Sequence, residues 1–147
     1  VAPELKPVGN DWKWLDSTYY LQRDTYGYDL DALAIGARPD VSDDRFVDTL
    51  AKYIDWNVTA AVQELAEVRE EFSWKPWATD EPFVNRDRVL NEVVDVLHFL
   101  GNILVGMGVN DKELVAAYCA KQKKNVARKT SGNYSARKGG LSEGSDI

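Results

Sequence analysis

The sequence predicts an all-α fold, a compact helix bundle of about four core helices, in a single domain over residues 1–147. Three observations predict it. Apolar residues recur at spacings of three and four along most of the chain. Gly27, Gly36, Pro39, Pro76, Pro82 and Gly108 fall between those stretches, where helices would stop. Alternating apolar and polar runs, the mark of half-buried strands, are few. With 147 residues, 44% of them hydrophobic, the chain is long and apolar enough to bury a core.

Taken in order, the first helix is expected from about Asp11 to Tyr26, with Trp12, Leu15, Tyr19 and Gln22 on one face and Gly27 ending it. A loop with Gly36 and Pro39 follows. Ser42, Asp43 and Asp44 read as the cap of a second helix that runs to about Phe72. Its expected core face is Phe46, Leu50, Ile54, Val58, Ala61, Leu65, Val68 and Phe72. Pro76 and Pro82 then break the chain. The third helix is expected from about Asn85 to Met107, stopped by Gly108. Asn110 and Glu113 have the spacing of a capping box for a fourth helix, about Asp111 to Lys129. The Ser/Gly-rich end, from about residue 135 to 147, reads as a flexible tail.

Charge separates the two ends. The net charge is −6, with 18 basic and 24 acidic residues. Between Leu114 and Ser142 stand seven bases and no acid: Lys121, Lys123, Lys124, Arg128, Lys129, Arg137 and Lys138. The remainder therefore carries −13, which disfavours polymeric nucleic acid as a partner. Cys119 and His98 are each the only residue of their kind. Disulfides within the chain and Cys- or His-rich zinc sites are thereby excluded, and a metal would rest on carboxylate oxygens. No N-terminal run has a signal-peptide pattern, so a cytoplasmic location is expected. Asp95, His98 and Asn102 interrupt the apolar run Val93–Val109, which reads as a buried helix and not a membrane span.

Chemistry concentrates on the second and third helices. Glu64 and Glu67 stand three apart, as do Glu92 and Asp95, so each pair shares a helix face. On facing helices they would place four carboxylates around one cavity. Such a cluster must be protonated in part or neutralised by cations, and oxygen-only ligands suit Mg²⁺ or Mn²⁺. The plainer alternatives are a solvated face for the Glu64–Glu67 pair, or ion pairs with Arg69, Arg86 or Arg88. The third helix argues against a solvated face: it is apolar nearly all round, and Glu92, Asp95, His98 and Asn102 form one narrow arc. Covering it takes more than three short neighbours, so a homodimer or homotetramer is expected. Further candidates are Trp74, for stacking on a base, and Lys75, for phosphate. Tyr118, Lys121, Asn125 and Arg128 form a stripe on the fourth helix, where Lys121 and Arg128 would meet phosphate charge.

These residues resemble a known group. The two acidic pairs are similar to the signature of the all-α nucleoside triphosphate pyrophosphatases, which include MazG-like enzymes and the dimeric dUTPases. The run from Glu92 to Phe99 resembles the E-x-V-D-x-x-H-F run of the dimeric dUTPases. Their later basic run is echoed by Tyr118, Lys121, Asn125, Arg128, Gly132 and Tyr134, and their base-reading segment by Leu21 and Gln22. Gln122 and Lys129 depart from that run, and Asn133 is inserted before Tyr134. The resemblance implies Mg²⁺-dependent hydrolysis between the α and β phosphates, with dUTP as the favoured substrate. Glu64, Glu67, Glu92 and Asp95 would hold two or three ions, and one of them, Glu64 by preference, would activate water. Lys121, Arg128 and Lys75 would bind phosphate. Gln22, Trp74, His98, Phe99, Asn102 and Asn125 would meet base or sugar. Two alternatives stay open: a MazG-like enzyme acting on other deoxynucleotides, many of which are encoded by bacteriophages, and a helical interaction module without catalysis.

Overall fold

α1 (Trp14–Tyr20) opens the fold and runs into a π-helical turn, Leu21–Thr25. The computed structural model describes residues 13–132. The expected helix start at Asp11, the face position Trp12, the inserted Asn133, the echo at Tyr134, the bases Arg137 and Lys138, and the tail all lie outside that range. α2 (Leu30–Ile35), α3 (Asp44–Glu70), α4 (Arg86–Gly106) and α5 (Asp111–Ser131) follow. No strand occurs among the described residues, only one isolated antiparallel bridge, Phe72 to Val84.

The signals that define each helix are local. Gly27 and Gly108 take φ of 74° and 79°, the left-handed conformation that ends a helix without steric cost. Asp43 caps α3 by accepting from the Arg45 amide, and Asn85 caps α4 by accepting from the Arg88 amide. α2 was expected to be loop. Asp29 caps it through the Ala32 amide, and Leu30 and Leu33 bury its inner face.

The chain forms two compact units, divided after Asn110. In the first, α3 and α4 make a long antiparallel hairpin, with α1 and α2 against it. Each step of three or four residues up α3 is matched by one down α4. Tyr53 meets Gly106, Asn57 meets Asn102, Glu64 and Glu67 meet Glu92, and Glu71 meets Arg88. The second unit is described by α5, with Asp111 and Glu113 in its first turn and Arg128 and Lys129 in its last, each favourable to the helix dipole.

Two sequence expectations need correction. The inner face of α3 is Leu50, Tyr53, Asn57 and Ala61, while Val58, Val62 and Leu65 are exposed. The polar residues of the seam need the interior, and the helix turns its branched apolar residues outward to supply it. α4 was expected to be buried nearly all round. Only Val96, Gly101, Asn102, Val105 and Gly106 are buried, and Leu90, Val93, Val94, Leu97 and Leu100 remain exposed. Neighbours on one side of a cylinder leave the other side open. By length and composition alone α4 is apolar enough to cross a membrane. It nonetheless turns Glu92 toward Glu64 and Glu67 of α3.

Gly106 allows the close approach of α4 to α3. A Cβ there would stand 2.7 Å from Tyr53 Cε1. Gly106→Ala should therefore destabilise the fold by about 1–3 kcal/mol through overpacking, as read by urea unfolding.

Candidate active site

The hairpin brings the expected carboxylates together. One oxygen each from Glu64, Glu67 and Glu92 lies within 4.8 Å of the others. Glu64 and Glu92 are half-buried and Glu67 is exposed. Asp95 stands one turn from Glu92 and close enough for its charge to act on Glu64. Burial first, then the charges of Glu67, Asp95 and Glu92, push the Glu64 carboxyl above its ordinary value.

No Lys or Arg among the described residues pairs with these acids. Arg69 lies over the Trp74 ring at 3.5 Å, Arg86 pairs with Asp87, and Arg88 pairs with Glu71 at 3.0 Å. The ion-pair alternative therefore uses none of the three arginines it required. Converging carboxylates without an internal cation fit a hard divalent ion, for which oxygen ligands are the natural donors.

Beside the acids lies a cleft of about 390 Å³, within the range of small-molecule sites. Gln22, Glu64, Asp95, His98, Phe99 and Asn102 all line it, so six residues of the sequence expectation for base, sugar and metal converge there, and Glu64 also belongs to the three-carboxylate cluster. His98 is exposed, with Nδ1 3.9 Å from Asp95 Oδ1. Gln22 and Asn102 are 5% and 7% exposed and form the floor.

Sequence reasoning missed Trp56, Tyr26 and Tyr28, which complete the cleft wall. Trp56 packs against Phe99 with ring centroids 6.1 Å apart. Its signal was present: it stands eight residues before Glu64, two turns back on the same face. It also missed Asn57 and Tyr53 behind the floor.

Trp74 and Lys75 are elsewhere. They line a smaller cleft of about 170 Å³ with Glu70, Ser73 and Phe83, in the loop that joins α3 to α4. Trp74 packs edge-on against Trp77, and Lys75 Nζ is 3.7 Å from Glu70. Lys121, Asn125 and Arg128 sit on α5 in the second unit.

The described residues form an all-α fold with converging carboxylates beside a cleft of small-molecule size. Residues 40–110 match the family described as dUTPase, and this match with the helical fold fits the dimeric dUTPase-like/MazG-like all-α superfamily. The matched segment holds α3, α4 and all four acids. Neither the curated proteins nor the solved structures gave a match.

The raised Glu64 carboxyl sets a pH dependence. The folded state holds this proton to higher pH than the unfolded chain does, so stability without metal should fall as pH rises through that range. Divalent ions require the deprotonated form. Thermal unfolding from about pH 4 to pH 7 should show this fall in EDTA, and Mg²⁺ should offset it increasingly toward pH 7.

Proposed function

We propose that the protein is a Mg²⁺-dependent nucleoside triphosphate pyrophosphohydrolase, with Mn²⁺ as an alternative ion, that cleaves the α–β phosphate bond of dUTP. The observation that carries this reading is that Glu64 belongs both to the carboxylate cluster and to the nucleoside-sized cleft. A base on the floor of that cleft puts its phosphates toward the acids.

Glu64, Glu67, Glu92 and Asp95 would hold two or three divalent ions. Such ions supply positive charge against the phosphates and make water more acidic. The residues of the chain do the rest. Gln22 and Asn102 bind the base edge, and Phe99 and Trp56 offer ring faces to it. His98 would meet the sugar between floor and acids. Glu64, which belongs to both the cluster and the cleft, would take the proton of the attacking water. Water adds to the phosphorus on one side of the α–β bridging oxygen as that P–O bond breaks, so that dUMP and pyrophosphate part and Glu64 holds the water's proton. By the resemblance, Lys75, Lys121 and Arg128 would bind phosphate, Asn125 would meet sugar or phosphate, and Trp74 would stack on a base.

The exposed row Leu90, Val93, Val94, Leu97 and Leu100 on α4 supports a homodimer or homotetramer. Light scattering should then give a multiple of 16.5 kDa. A cytoplasmic setting, where deoxynucleotides are held, completes the proposal.

Glu67→Ala and Asp95→Ala should each lower turnover by about 10²-fold or more while the helical circular dichroism is kept. Phosphorus NMR of the dUTP reaction should show dUMP and pyrophosphate; dUDP with orthophosphate would contradict the bond assignment. A panel of dATP, dGTP, dCTP, dTTP and dUTP separates dUTP hydrolysis from a MazG-like breadth of substrates.

A further inference from the structure

We infer that Tyr53 and Asn57 fix the donor–acceptor polarity of the two amides on the cleft floor, and so act as positioning residues for base choice; this rests on the nucleotide reading above. Asn57 is 2% exposed and does not line the cleft. Its Nδ2 donates to the Tyr53 main-chain carbonyl at 2.8 Å. A carbonyl only accepts, so this end of the amide must be the NH₂ group. Asn57 Oδ1 is thereby turned to Asn102, whose Nδ2 donates to it at 2.9 Å. Asn102 is left with Oδ1 as its free acceptor, on a residue that lines the cleft. Rotating either amide would set two like groups against each other, which costs a buried hydrogen bond and adds repulsion.

Tyr53 constrains Gln22 in a different way: a hydroxyl can also accept, but its own proton needs an acceptor, and among the described residues Gln22 Oε1 is the one it has. Its hydroxyl donates to Gln22 Oε1 at 2.9 Å in the buried interior. Burial and the neighbouring Tyr28 push this hydroxyl up to about 12, against a smaller opposing effect of Asn57, so it keeps its proton. Gln22 then faces the cleft with its NH₂ group.

The floor thus offers one donor, from Gln22, and one acceptor, from Asn102. A uracil edge carries N3–H beside a carbonyl oxygen and matches this pair. Cytosine carries a bare N3 beside an amino group, the opposite polarity at the same two positions. With the polarity fixed, uracil is favoured. If Asn102 or Gln22 is free to rotate, either edge is met equally well.

The test is calorimetric binding of dUMP and dCMP, with turnover of dUTP and dCTP alongside, for wild type, Asn57→Ala, Asn102→Ala, their double variant and Tyr53→Phe. Wild type should bind dUMP at least about tenfold tighter than dCMP, the loss expected when a buried polar group meets its like. Asn57→Ala should bring that ratio toward one and raise KM for dUTP more than it lowers kcat. Asn57→Ala should have no further effect on the ratio in the Asn102→Ala background. Tyr53→Phe, which keeps the ring packing, should also lower the ratio and decides the matter if Asn57→Ala does not fold. An undiminished ratio in the folded variants, additive losses, or a wild type that binds both nucleotides equally would overturn the inference. Selective dUMP binding that responds to these substitutions, without turnover of any triphosphate, would uphold it and overturn the hydrolase reading.

Discussion

Carboxylates that face each other between two packed helices are the constraint on which the rest of the structure depends. Glu64, Glu67 and Glu92 repel one another, and the half-buried position of two of them keeps water from screening that repulsion fully. The hairpin must therefore be held by other contacts. Below the acids, Gly101 and Gly106 let α4 approach α1 and α3 closely, and the Asn57–Asn102 bond locks the register. Above them, Glu71 and Arg88 pair at 3.0 Å, with the Glu71 side chain only 11% exposed. The Phe72–Val84 bridge and the bond from the Asn85 amide to the Glu71 carbonyl close the loop base beyond that pair. The unfavourable segment thus lies between two clasps.

This arrangement is economical for binding a charged ligand. Repulsion already present in the free protein is relieved when cations arrive, so folding energy is converted into ion affinity. The same hairpin supplies a polar floor two turns further along, in line with the acids. A ligand that is uncharged at one end and polyanionic at the other matches that gradient in polarity along one seam.

Much of this was legible in the sequence, because helix limits are set by local chemistry. The ends of α3 and α4 follow from Asp43, Asn85 and Gly108, residues whose caps need no tertiary context. The paired acids were legible because their spacing of three is itself a helical statement. What was not legible depends on long-range contacts. α2 is six residues long, too short for its period to show, and is held by Asp29 and by burial of Leu30 and Leu33. The inner face of α3 was misread because Tyr53 and Asn57 look less like core than Val58 and Leu65 do. They are interior because their hydrogen bonds are completed across the helix pair. Lys75 and Trp74 were grouped with the acids by proximity in sequence, yet the loop places them in a cleft of their own.

The central claim is that the acids across α3 and α4 form a divalent-cation site. Crystals soaked in Mn²⁺ and measured at its absorption edge test it most directly. A divalent-cation site gives anomalous peaks among the carboxylate oxygens of Glu64, Glu67 and Glu92, within the coordination distances of a hard cation. Ordered carboxylates with no anomalous peak between them, at Mn²⁺ concentrations that saturate other acidic sites, would contradict it.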